Sequence, residues 1–342
     1  MNKTTLYLPI ANLDVESQIQ VGKAIIHPQS EIHIIADCFR DREKVLLDVE
    51  KDFGGNAFVA IEVESDGGKL IPEDTSKVEE AIRESLSILY LMQKEIAGRH
   101  TVKHQIFGLK SDTPSLQNFI VAKNDGRASY KIQNVGNYAK WEFTTASLEK
   151  LKLRDDFQFL CRIASSDKRS DMEQRIMTSI GLIHEGTLLL KLQDRFTKLM
   201  TGFEVLLLKK GGEEKKGFTL ARICTMMTHA FLLPQYKCLC PVFDAKNANE
   251  YSDLVEKSGL PGICSAYNEF KKWYATRSEI SHESNLKTVN DHISSFEWWT
   301  HMHIMKTIEL TSKNSFSSLV EFREYIEKEY QAWRSSFETK LP

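Results

Sequence analysis

The sequence predicts an α+β N-terminal region followed by an all-α bundle of helices. Short β-branched and aromatic runs, broken by Gly, Pro and Asn, occupy residues 4–145, with one strongly periodic helical stretch among them. From about residue 155 the apolar residues fall at helical spacing, and nothing strand-like appears between 174 and 338 except around 236–244. These patterns divide the chain into residues 1–150, an antiparallel sheet with one main helix, and residues 151–342, a bundle of up to five principal helices.

In the first half, residues 4–10, 19–26 and 31–36 read as short strands, and 40–52 as a charged helix closed by Gly54-Gly55. NAFVAIEVE (56–64) alternates apolar and polar residues as a half-buried strand does. A helix follows, with Ser76 and Glu79 as a capping box, Val78, Ile82, Leu86, Leu89 and Ile96 on one face, and Gly98 as its stop. Residues 118–122, 129–133 and 140–145 read as strands, with Asn124-Asp125-Gly126 as a turn. This half carries no phosphate-binding glycine loop and no nucleophile elbow. A sensing or recruitment role is what elimination leaves.

In the second half, residues 155–165 form a helix, and 174–208 one long helical segment bent at Gly181 or Gly186. Phe196, Leu199, Met200, Phe203 and Leu207 share a face, and Gly211-Gly212 stops it. Helices are then expected over 219–233, stopped by Pro234, over 263–283, over 289–312, and over 319–337 behind a Ser318/Glu321 capping box. A short one is expected at 248–257.

Composition narrows the chemistry. A content of 42% hydrophobic and 27% charged residues is that of a globular protein. The formal net charge is −2, so any nucleic acid must be held by a local patch rather than by an overall basic field. No apolar run approaches the roughly 20 residues that span a bilayer, and MNKTTLYLPIANL is too interrupted for a signal peptide. The six cysteines are sparse, so reduced thiols in a cytoplasm are expected. Cys238 and Cys240, with Cys224, Cys264 and His229, contain metal-binding residue types, but Cys-x-Cys is a poor chelate loop. His100 and His104 follow the Gly98 stop in a polar segment without a carboxylate partner. His301 and His303 point about 200° apart on a helix and cannot chelate together. No metal and no cofactor is expected.

The chemistry concentrates in Ala266–Ser284, AYNEFKKWYATRSEISHES. Tyr267, Phe270, Trp273 or Tyr274, and Ile280 line an apolar side, and Arg277 and His282 are embedded in that pattern. Metal-free cleavage of RNA needs a base for the 2′-hydroxyl proton, an acid for the departing 5′-oxygen, and positive charge on the phosphorane-like transition state. Histidine serves either proton role near neutral pH, and arginine offers forked donors matching phosphate oxygens. Five residues along a regular helix place the two side chains about 140° apart. They converge only if Arg277 reaches around or the helix loosens near His282. Ser278 and His282, by contrast, share a face. Arginines and histidines also occur at helix ends simply because they complement the dipole. Arg277, however, has no carboxylate at i±3 or i±4. Glu204, at the edge of the apolar face of 194–207, is either satisfied by solvent or by Lys198 or Lys209, or pairs with Arg277. Lys271 and Lys272, with Trp273 and Tyr274, either flank an RNA cleft or form a solvated pair beside core aromatics.

Over roughly residues 180–312 the chain resembles HEPN domains, within that superfamily the ApeA-like branch. DRFTKLMTGFEVLL (194–207) is similar to the family's long first core helix with a Glu near its end, and YATRSEISHES (274–284) matches its Arg-x₄₋₆-His motif. The first half looks like the α+β region that often precedes such domains. The resemblance implies a metal-independent endoribonuclease, often a toxin or an anti-phage (abortive infection) effector, with Arg277 and His282 catalytic. Its partners would be RNA, a second copy of the chain, and a phage-derived trigger or an inhibitory protein. Ser278 stands where the family commonly has Asn, His or Asp. Some HEPN domains lack activity and act as binding or dimerisation modules, which is the alternative function. Each chain carries one candidate His, so a two-fold dimer would bring two Arg–His sets into one cleft.

Overall fold

In the computed structural model, the described residues are 2–37, 41–53, 56–65, 72–97, 107–109, 112, 117–124, 127–134, 141–189, 191–209, 216–234, 265–283 and 287–338. They form two compact units, Met1–Ser165 with Thr187–Leu190, and Ser166–Gly186 with Lys191–Pro342. The boundary expected after residue 150 therefore falls after Ser165.

The first unit is built on a five-stranded sheet in the order β3-β4-β5-β1-β6, all antiparallel. Its strands are β1 (Asn2–Ala11), β3 (Ile19–Val21), β4 (Ala24–His27), β5 (Phe58–Ser65) and β6 (Gly108–Leu109). The long pair β1–β5 runs in the register Leu6↔Ile61 and Leu8↔Val59. Phe58, Val59, Ala60 and Ile61 are all buried, as the central place of β5 requires. Residues 19–26, expected as one strand, are instead a hairpin folded at Gly22. Gly22 has φ +61°, and a Cβ there would lie 2.8 Å from that of Ala164, so both backbone and packing demand glycine. The remaining strands are β2 (Leu13–Val15), β7 (Gln117–Asn124), β8 (Arg127–Asn134) and β9 (Trp141–Phe143). β7 and β8 pair antiparallel, whereas β2 and β9 pair parallel, so the unit is not purely antiparallel as expected.

Residues 31–36 are not a strand. A 3₁₀ turn at Gln29–Glu31 leads into the single-turn helix α1 (His33–Ala36). Ile32, Ile35 and Ala36 are buried at i, i+3 and i+4, a helical spacing that so short an apolar run does not reveal by itself. Helix α2 spans Arg42–Phe53, and α3 spans Pro72–Ala97. Proline at the first helical position opens α3 four residues before the expected Ser76 cap, so Ser76 and Glu79 lie inside the helix. The predicted face of α3 is buried at Val78, Ile82, Leu86 and Leu89. The Ser85 hydroxyl donates to the Val21 carbonyl at 2.7 Å and ties α3 to the hairpin. Helices α4 (Thr145–Lys152) and α5 (Asp155–Ser165) complete the unit.

The second unit is helical: α6 (Asp171–Leu188), α7 (Leu192–Leu207), α8 (Lys216–Met227) with a π-helical extension Thr228–Leu232, α9 (Ser265–Glu283), α10 (Lys287–Asn314) and α11 (Leu319–Glu338). The segment 174–208 is two helices rather than one bent helix. Gly186 and Gly202 lie at close contacts, whereas a Cβ on Gly181 would meet nothing within 4 Å. A Cβ on Gly202 would sit 3.0 Å from the Ser179 carbonyl oxygen and 3.1 Å from Ile183. Ser170 and Glu173 form the reciprocal capping box that opens α6, at 3.2 and 2.9 Å. At α11, Ser318 Oγ accepts from the Glu321 amide as expected, but the Glu321 carboxylate accepts from the amide and hydroxyl of Ser317. An aromatic core joins α7, α9 and α10, with Phe203, Phe270, Trp273 and Phe296 at ring separations of 4.9–6.2 Å together with Phe196. Among the described residues, no helix is long and apolar enough to cross a membrane.

Candidate functional site

Helix α9 resolves the ambiguity in its apolar face. Tyr267, Phe270 and Trp273 are buried, whereas Tyr274, Arg277, Ser278 and Ile280 are half-buried and Lys271 and Lys272 exposed. With no exposed surface, Trp273 cannot stack on RNA, which removes it from the expected cleft rim.

The structure brings Arg277 and Glu204 together. Arg277 Nε lies 3.4 Å from Glu204 Oε1, a charge contact rather than a well-aligned hydrogen bond. The Glu204 side chain is 13% exposed and that of Arg277 is 30% exposed. The alternative partners of Glu204 fall away in part, since Lys198 pairs with Glu185 at 2.8 Å. Burial pushes the Glu204 carboxyl above its ordinary value, while Arg277 and then Lys216 pull it back down without cancelling the rise. Tyr274 is the fourth member. Its ring lies 6.0 Å from the Arg277 guanidinium carbon, and burial and the Glu204 charge push its hydroxyl pKa up against the pull of Arg277.

The backbone of α9 is α-helical through Glu283, so the loosening near His282 that would turn the two residues together is not what the chain does. Arg277 and His282 of one helix thus remain about 140° apart around its axis. The side chain of His282 lies outside the described residues. So do Cys238, Cys240, Cys264, His100, His104 and the segment 236–262.

Sequence reasoning missed the residues that fix the Glu204 end of α7. The last carbonyls of a helix have no intrahelical partners. Here Arg175 of α6 donates to Val205 O at 2.7 Å and Leu208 O at 2.9 Å, and its Nε meets Asp171 at 3.0 Å. Arg323 of α11 donates to Leu207 O from Nε at 3.0 Å and also from Nη2. Asp171 in turn accepts from the Leu319 amide at 3.1 Å. Their partners are backbone atoms, which no sequence pattern marks. A second charge pair, Arg195–Glu297 at 2.6 Å, is more deeply buried and links α7 to α10. Charged residues separated by a hundred positions give no local signal either.

The remaining metal candidates have structural roles or do not gather. His303 is fully buried, with Nδ1 2.8 Å from Trp299 O and Nε2 3.1 Å from Cys224 O. Burial holds its pKa below the ordinary value against both carbonyls. The Cys224 thiol is pushed well up by burial, which leaves it a poor nucleophile. His229 stacks on Trp333 at 5.2 Å. Among the described residues, no three His, Cys, Asp or Glu side chains gather as a metal site. Comparison with family models, with curated proteins and with solved structures finds no match.

Proposed function

We propose that the helical unit is a metal-independent endoribonuclease of the HEPN type, ApeA-like in its motif, acting as an anti-phage or toxin effector in the cytoplasm. The observation that carries this reading is the Arg277–Glu204 contact. It joins the two segments on which the resemblance rests, and it leaves the guanidinium half-buried beside a carboxylate. In the proposed reaction the substrate's 2′-oxygen forms a bond to phosphorus as the bond from phosphorus to the 5′-oxygen breaks. A base takes the 2′ proton, and an acid protonates the departing oxygen. Arg277 holds the phosphate and stabilises the charge that develops on it. His282 takes one of the two proton roles. Glu204 orients Arg277, Ser278 supports it, and Lys271 and Lys272, both exposed, meet the RNA backbone in this proposal. The same contact favours a second reading, since an arginine neutralised by a carboxylate also suits a non-catalytic module that acts as a sensor or partner.

Incubating the purified protein and its His282→Ala variant with RNA, with circular dichroism of both, separates the two. The first reading expects wild-type cleavage that survives EDTA, products with 2′,3′-cyclic phosphate and 5′-hydroxyl ends, and loss of cleavage in a folded His282→Ala protein. Equal cleavage by both proteins, or none by either, removes it.

A further inference from the structure

Helices α8 and α9 approach closely at one place. A Cβ built on Gly217, the second residue of α8, would lie 2.6 Å from Cδ1 of Tyr274, 3.1 Å from Cγ and 3.2 Å from Cε1. The obstacle is the root of an aromatic ring, not the far end of a flexible chain, so any side chain here must displace the ring. Nearby, Phe218 packs edge-on against Tyr267 at 6.2 Å, which fixes the distance between the two helices. The backbone that carries Tyr274 is held, because the adjacent Trp273 is fully buried in the core. The same ring lies 6.0 Å from the Arg277 guanidinium carbon, one helical turn on, and Arg277 in turn meets Glu204.

We infer that Tyr274, seated on the bare backbone of Gly217, is a positioning residue for Arg277. The ring is the wall that keeps the guanidinium turned toward Glu204 and narrows the directions it can sample. Lys216, immediately before Gly217, adds positive charge to the same cluster, and its pull on Glu204 places it within reach of that carboxylate's field. The seat therefore links the start of α8 to the orientation of Arg277. The functional part of this inference rests on the ribonuclease reading, but the positioning itself does not.

The Nε–H resonance of Arg277, assigned by its loss in Arg277→Ala, reports the positioning without RNA. Gly217→Ala changes no atom of Arg277 or Tyr274, and is expected to speed exchange of that proton with water about tenfold or more and to shift it toward the free-arginine position. Tyr274→Leu, which removes the ring but keeps an apolar side chain, is expected to do the same. Adding Gly217→Ala to Tyr274→Leu should then change little further, because the two act through one contact. Tyr274→Phe, which keeps the ring, should restore the wild-type resonance. If RNA is cleaved, Gly217→Ala should lower kcat about tenfold or more with KM within about twofold, since a displacement near 1 Å can cost about a hundredfold. A wild-type Arg277 resonance in folded Gly217→Ala and Tyr274→Leu proteins overturns the inference. Should Gly217→Ala not fold, the Tyr274→Leu and Tyr274→Phe pair decides it. A protein that shows the expected resonances but cleaves no RNA keeps the positioning and loses the ribonuclease reading.

Discussion

Glu204 is a carboxylate held against an apolar helix face with an arginine at 3.4 Å, and its burial outweighs that attraction. Its folded-state pKa is raised, so the folded protein binds the Glu204 proton more tightly than the unfolded chain. The stability this gives is present in full below the ordinary carboxylate value of 4.5 and is lost as pH rises through the higher, folded-state value. A Glu204→Gln variant has no proton to lose. Relative to wild type it should gain stability as pH rises from about 4 to about 7, read as urea midpoints at each pH. Parallel midpoints across that range would show that the carboxylate is not strained. Residues of this kind were partly legible in the sequence. A Glu beside an apolar stripe and an Arg without an intrahelical carboxylate each pointed outward, and they meet. What the sequence could not show was which aromatic of Trp273-Tyr274 enters the core, because helical phase is uncertain by one residue. The helix expected over 219–233 also left Gly217 outside it, whereas α8 begins at Lys216, since glycine inside a helix start looks the same as glycine in a turn.

At the scale of elements, the end of α7 is held by two arginines from other helices, through bonds to carbonyls just after Glu204. Charged hydrogen bonds to partly buried acceptors contribute about 1.5–3 kcal/mol each before solvent screening. Arg175 is 17% exposed and makes two of them. Arg175→Ala should destabilise the helical unit by about 1–3 kcal/mol, with faster amide exchange over the last turn of α7. Arg175→Lys should recover only part of this, because an ammonium that bonds both carbonyls as Nη1 does cannot also hold Asp171 from the Nε position. Full stability in Arg175→Ala would mean that Arg323 caps this end alone. Helix existence was legible over the described residues of this unit, where apolar periodicity persists over many turns, and in the first unit α5 begins and ends where the pattern does. Boundaries failed where chemistry other than periodicity decides them. Proline opened α3 early, α6 ended at Leu188 and α7 began at Leu192, and a run of six residues at 31–36 was too short to tell a turn of helix from a strand.

At the scale of the whole molecule, the geometry of one helix bears on how many chains make a site. Because α9 stays α-helical through Glu283, positions 277 and 282 of one chain lie about 140° apart around the helix axis. On the ribonuclease reading, an arginine and a histidine that diverge on one helix meet at one phosphate only if they come from different chains or if Arg277 reaches around. The proposed two-fold dimer of the helical units would supply the partner group from the second chain, with Arg277 of one protomer facing His282 of its partner across the axis. Mixed dimers distinguish this from a site complete within one chain. Arg277→Ala and His282→Ala proteins, each expected to be inactive as a homodimer, are co-expressed with different tags. In a site shared across the axis, the mixed dimer keeps one intact combination, the arginine of one chain with the histidine of the other. Random pairing makes about half of the dimers mixed, each with about one working site of two, so about a quarter of wild-type cleavage should return. Dimers purified through both tags should show about half. If each chain used its own Arg277 and His282, every site in the mixture would lack one group, and cleavage would stay at the level of the parents. That outcome, or light scattering that shows an active monomer at micromolar concentration, would return the site to a single chain and leave Arg277 to reach around the helix.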